Sequence, residues 1–183
     1  MGRLIAAGNA AGQGLANLTE HNDALLYGAG DAKIGSIIGK GAEAGKLLKA
    51  KFFANLPALG ALKEAVESAV SKGFILGLDK RKLHVRSAHS ALNTLLQSAG
   101  ALVMKKALLI LDERLQKGGL TPGVHYEFVL NVHDEYQIEV DDDKADLVAG
   151  LAVQSIVDAG KFFAMRCPLD GEAAVGSNWA NTH

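Results

Sequence analysis

The chain has 183 residues, 49% of them hydrophobic, with a mean hydropathy of +0.13, which suits one ordinary globular domain or two small lobes sharing a core. A net charge of -1 and a pI near 6.6 exclude a bulk electrostatic drive toward nucleic acid or anionic membrane, so any such binding has to come from local patches. The single cysteine, Cys167, excludes an internal disulfide, and no apolar run approaches the roughly 20 residues that span a bilayer, so a reducing cytoplasm and no membrane contact are expected.

Residues 1–22 are rich in Gly, Ala and Asn with a weak apolar stripe, and read as a poor helix or a loose lead-in without a secretory signal. Leu25 to Gly30 ends an apolar run on two glycines, after which Asp31 is placed to cap a helix through Gly39. A helix over Glu43–Phe53 carries Leu47, Leu48 and Phe52 on one face with Lys46, Lys49 and Lys51 around it, and Pro57 occupies the first turn of the next helix, Ala58–Val70. Phe74–Leu76 and Leu83–Arg86 then flank a loop that projects Lys80, Arg81 and Lys82, a short hairpin and a candidate phosphate contact.

The longest helical pattern runs from Ala88 to about Gln116, with Leu92, Leu95, Leu96, Ala99, Val103, Ala107 and Leu111 at threes and fours and Gly118-Gly119 closing it. Its early face also presents His89, Asn93 and Gln97 at four-residue spacing, a stripe that wants a polar partner. Two period-two runs follow: Phe128, Leu130 and Val132 alternate with polar residues on the first, and Tyr136, Ile138 and Val140 on the second. They meet as a hairpin at His133-Asp134-Glu135. Carboxylates at a rigid strand end suit a hard divalent cation, and the imidazole can orient a ligand; the plain alternative is a polar turn at the edge of a sheet.

Asp142 and Asp143 open a helix from about Lys144 to Phe163, where they complement the helix dipole and need no catalytic role. Cys167–Ala174 reads as a last strand, with Cys167 a small core residue. Gly28-Ala29-Gly30 lacks the third glycine of a dinucleotide loop, and the six histidines and one cysteine show no zinc spacing. The elements together make an α+β fold.

Four motifs in order carry a resemblance: Tyr27-Gly28-Ala29-Gly30; His84-Val85-Arg86-Ser87 followed by Leu92 to Ala101; Val132-His133-Asp134-Glu135; and Trp179 with a terminal His183. Over roughly residues 24–183 the chain resembles the C-terminal part of a family A (Pol I-like) DNA polymerase of the bacteriophage replicative type. The resemblance implies a divergent lead-in over 1–22, a helical fingers remnant over 23–85, and a palm over 86–183 whose antiparallel hairpin carries the metal-binding Asp beside long packing helices. It implies that Asp134 holds metal, that His133 lies near the primer terminus and that Glu135 is a secondary carboxylate. Asn93 and Gln97 would line the minor groove of primer-template DNA, where acceptors recur on every base pair. Arg86, Lys80, Arg81 and Lys82 would meet phosphates, and Tyr27 ends the helix that grips the incoming dNTP. Trp179 would pack the C-terminal segment against the palm, with the His183 carboxylate near the site.

The implied activity is template-dependent nucleotidyl transfer with two Mg²⁺ ions, one activating the primer hydroxyl and one stabilising pyrophosphate. Two departures bear on it. The family supplies a second essential Asp from an earlier palm motif, and nothing before Tyr27 has an acid in a comparable strand context: Glu20 and Asp23 are the only acids there. The basic and aromatic residues that grip the triphosphate fall at Leu15, Thr19 and Asp23, which cannot neutralise phosphate. The expectation is therefore an incomplete metal site and a polymerase segment inactive by itself, needing a complementing N-terminal polypeptide in the host cytoplasm if phage-encoded. The alternative is a non-catalytic remnant that binds primer-template DNA. The plain reading beside both is an α+β domain whose Asn93, Gln97 and His133 satisfy local backbone and whose Lys80–Lys82 solvate a loop.

Overall fold

The computed structural model describes residues 2–9, 25, 28–132 and 134–182, so Tyr27, His133, His183 and the triphosphate-grip positions 15, 19 and 23 lie outside the described residues. The described residues form two compact units, one drawn from 1–13 and 100–183 and the other from 14–99.

The first unit is a four-stranded antiparallel sheet with helices on one face. Its strands are β1 (Gly2–Asn9), β4 (Tyr126–Val132), β5 (Glu135–Asp141) and β6 (Gly171–Gly176), in the order β4-β5-β1-β6. The expected poor helix or loose lead-in is thus, over Gly2–Asn9, an inner strand. It pairs with β5 on one side and β6 on the other, and Ile5 and Ala7 enter the core opposite Ile138 and Tyr136. Hydrogen bonding on both edges and two inward side chains fix an extended backbone that the Gly- and Ala-rich sequence does not announce.

Two helices cover the core face. One is the C-terminal half of α4 (Ala88–Lys117), where Val103, Ala107, Leu111 and Leu115 recur every four residues and are all buried. The other is α5 (Ala145–Phe162), entered through a 3-10 turn at Asp142–Lys144 and burying Val148, Ala152, Ile156 and Ala159. By length and hydropathy α4 would pass as a membrane span over Ser90–Lys117, contrary to the reading of its apolar run, but its buried stripe belongs to the core. The helix stops where Gly119 takes φ +84° and Leu120 N–H donates to Leu115 C=O at 3.0 Å. Arg114 of α4 reaches across to the Asp158 carboxylate of α5, which also accepts from Lys161 at 2.8 Å and from Gln154 at 3.2 Å.

Two details of this unit differ from expectation, the place of Cys167 and the alternation of β4. β6 begins at Gly171, after Pro168, which cannot donate to a ladder, so Cys167 lies before the strand and is exposed rather than in the core. Trp179 is 40% exposed, and buried Thr182, whose hydroxyl lies 3.4 Å from the Gln137 amide oxygen, also ties the segment down. A bulge between Phe128 and Leu130 breaks the alternation of β4 and leaves Val129 and Leu130 open to solvent.

The second unit contains α1 (Asp31–Ile37), α2 (Ala42–Asn55), α3 (Pro57–Ala69), the hairpin of β2 (Phe74–Leu76) and β3 (Lys82–His84), and the beginning of α4. Gly30, not Asp31, is the N-cap of α1; Asp31 lies in the first turn, 3.5 Å from Lys49 of α2. Helices α1 and α2 approach so closely that a methyl group on Gly45 would run into the Asp31 carbonyl oxygen. Buried Val66, Ile75 and Ala91, with Leu83, Val85 and Leu95 against them, make a small core. The break between the units falls inside α4, between residues 99 and 100, where helical periodicity continues without a signal.

Candidate functional site

Strands β4 and β5 close at the Val132–Glu135 pair, so residues 133 and 134 are the connection and Glu135 already belongs to β5. Asp134 is exposed at this turn. The Glu135 side chain is half-buried, and its carboxylate accepts from the Gln137 amide, whose oxygen in turn faces the Thr182 hydroxyl. Gln137 is 1% exposed although it faces away from the helices, because the last turn of the chain covers it. Sequence reading finds Asp134 and Glu135 but passes over Gln137 and Thr182, which hold Glu135 in place. The signal available was a glutamine on the polar side of a strand followed, far along the chain, by a short polar terminus.

The adjoining edge of the tip is β1. Gly8 pairs with Glu135, and a Cβ built on Gly8 would lie 3.2 Å from the Asp134 carbonyl oxygen. Arg3 is the one charged residue in β1, and at the far end it meets Asp142 at 3.3 Å.

The predicted DNA contacts are all in the second unit. Lys80, at φ +66°, and Arg81 occupy the turn between β2 and β3, where Gly77 N–H donates to Arg81 C=O at 2.9 Å. Arg81 is held by Asp79, Lys82 stands over the Phe74 ring at 4.6 Å, and Arg86 is exposed just after β3. On α4, Gln97 is exposed, whereas the Asn93 side-chain oxygen is buried with no hydrogen-bond partner among the described residues. An unpaired buried oxygen costs about 1–3 kcal/mol. The stripe is therefore presented unequally, with Gln97 available and the Asn93 oxygen turned inward.

The sequence pattern of DNA polymerase family A matches residues 20–181. The chain belongs to DNA polymerase family A. It is 41% identical over 177 residues to the DNA-directed DNA polymerase of Enterobacteria phage T3 and 42% identical over 177 residues to that of Escherichia phage T7, each match taking 87% of this chain and 25% of the relative. The chain thus spans about a quarter of the length of these curated relatives. A solved structure, the POL domain of Pol1 from M. smegmatis in complex with DNA primer-template and dNTP, superposes with a TM-score of 0.83 over 98% of this chain and 40% of that one, at 16% identity, which shows the fold.

Family A polymerases use divalent metal ions. Two ions bound side by side need carboxylates from more than one element. Here β5 and its turn bring Asp134 and Glu135, while β1 brings none, and among the described residues no group of three or more His, Cys, Asp or Glu is arranged to hold a metal. The described donors do not fit a two-metal centre.

Proposed function

We propose that this family A segment takes part in template-dependent DNA synthesis only together with further polypeptide. In that reading Asp134 serves as a cation ligand, Glu135 as the carboxylate behind it, and Lys80, Arg81, Lys82, Arg86 and Gln97 as contacts to primer-template DNA. The observation that carries the reading is the exposed Asp134 at the β4–β5 turn, inside the stretch that matches the family, beside a neighbouring strand without an acid. The dNTP would be gripped mainly by residues outside this chain, since positions 15, 19 and 23 lack the chemistry for it.

Primer extension with Mg²⁺ and then Mn²⁺ tests this, using the chain alone and mixed with any polypeptide encoded just upstream. Synthesis is expected only in the mixture and is lost with Asp134→Ala while assembly persists. Synthesis by the chain alone would overturn the incomplete-site reading. No synthesis in either case, together with salt-dependent binding of primed DNA, would establish a non-catalytic DNA-binding remnant, the reading that an acid-free β1 favours.

A further inference from the structure

Within the first unit, the outer sides of α4 and α5 line a groove of about 490 Å³. From α4 it takes Lys106, Glu113, Arg114 and Lys117, which helical spacing puts on one face, and from α5 it takes Asp158, Lys161 and Phe162. Four cations thus stand with two carboxylates, on a unit whose acids outnumber its bases. Both carboxylates are already engaged, Asp158 by Arg114 and Lys161 and Glu113 by Lys117 at 2.6 Å. Lys106 makes no ion pair among the described residues, and its ammonium lies 4.1 Å from the centroid of the Phe162 ring.

Apolar surface adjoins this uncompensated cation. Phe162 is 63% exposed, yet it meets Phe163 edge to face at 5.1 Å, and Phe163 packs against the core. An exposed ring braced by a packed one is a fixed anchor. Leu109, about one turn along α4 from both Lys106 and Glu113, is also 63% exposed. Single exposed apolar residues need no explanation, but two of them beside a free ammonium make a patch that is apolar and positive together.

This combination selects among anionic partners. A nucleic acid strand has a phosphate at every step of its backbone, so it would press charge against Glu113, Asp158 and the acidic surface around the groove. Lys106 also covers a face of the Phe162 ring, where a base would stack. A peptide carries carboxylates only where its sequence has them. Its backbone N–H groups can donate to Glu113 and Asp158, and an apolar side chain can lie on Phe162 and Leu109.

We propose that the α4–α5 groove docks an acidic peptide segment of a partner polypeptide, with a carboxylate on Lys106 and an apolar side chain against Phe162. No residue of the groove belongs to the β4–β5 turn, so docking here is separate from the cation role of Asp134.

The probe is a synthetic peptide of alternating Glu and Leu, titrated into the whole isotopically labelled chain and followed through amide chemical shifts by nuclear magnetic resonance. The comparison ligands are the same peptide with Lys in place of Glu, and single-stranded oligothymidine. Shifts are expected to concentrate on residues 105–117 and 158–163 and to shrink as salt rises. Lys106→Glu and Phe162→Ser should each weaken binding about fivefold to tenfold, whereas Lys105→Glu, the same charge change on the next residue of α4, should cost less than about twofold. Lys106→Glu should also bind the Lys–Leu peptide more tightly than wild type does, a gain that damage to the fold cannot produce, and circular dichroism reports the fold of each variant. Equal losses in Lys105→Glu and Lys106→Glu would overturn the groove as the site, leaving only a general charge effect. So would an absence of shifts in both segments at millimolar peptide. Tighter binding of oligothymidine than of the Glu–Leu peptide at the same amides would overturn the peptide as occupant and make the groove a nucleic-acid site.

Discussion

Divided along its two units, a nearly neutral chain becomes two oppositely charged ones. Residues 14–99 carry eleven Lys and Arg against seven Asp and Glu, a net of +4, while residues 1–13 and 100–183 carry eight against thirteen, a net of -5. The packing differs as well. The acidic unit has one continuous core of strands and helices around Tyr136, Ile138, Leu111 and Ile156, whereas the basic unit has a small cluster around Val66, Ile75 and Ala91 and relies on a close glycine contact between α1 and α2. Polyanion binding and cation binding need opposite fields, and in the proposed reading the contacts for each would fall on their own unit. The whole-chain charge averages out the property that matters.

The sharpest way to break this comparison is Gly45→Ala. The added methyl meets backbone that cannot swing aside, so α1 and α2 must part, at a cost of about 3 kcal/mol. Native-state hydrogen exchange should show amides of α1 and α2 losing protection while those of β5 and α5 keep theirs. Equal loss in both would show that the units do not unfold separately.

A smaller effect is expected at the α4–α5 crosslink of the acidic unit. Donation from Lys161 and Arg114 holds the Asp158 carboxyl down at about 2. A depressed carboxylate stabilises the fold fully above its unfolded value near 4, and that contribution disappears as pH falls from there toward 2. Solvent around exposed Lys161 limits it to about 1 kcal/mol. Urea titrations of Asp158→Asn should lie below wild type at pH 6 and converge with it near pH 2, and parallel curves would remove the crosslink from the account.

Smallest is the effect on DNA binding of single charges in the basic unit. Each phosphate contact contributes about one unit of slope to log affinity against log salt, so Lys80→Gln should lower the slope by about 1. Arg81→Gln should lower it less, because Arg81 is engaged by Asp79, and Lys105→Gln in the acidic unit should leave it unchanged. An equal response at Lys105 would mean that the charge asymmetry does not locate the DNA.

What the sequence reveals follows the range of the interactions involved. The β4–β5 hairpin, the β2–β3 hairpin and the length of α4 all show as local periodicity and are found near where expected, with Lys82 in β3 rather than in the loop. Asp134 stands out because four motifs come in the right order around it. Strand β1 is hidden because Gly and Ala have little strand preference and its partners lie far along the chain. The same reason hides the Gln137–Thr182 contact that fixes Glu135. Local patterning cannot show that Val129 is bulged, that the Asn93 oxygen points inward, or that Cys167 precedes its strand, since each depends on register or packing set elsewhere.

The inner position of β1 also bears on how this protein reaches its fold. Gly8 meets Glu135 and Glu172, both more than a hundred residues downstream, so the sheet closes only through very long loops. Contacts of such separation make folding slow, and docking of residues 2–9 is the natural last step. Until then β5 and β6 each expose an unpaired edge toward the gap between them, the kind of edge that recruits other chains. A bulky fusion attached directly ahead of Gly2 would therefore act on the step that decides between closing the sheet and aggregating.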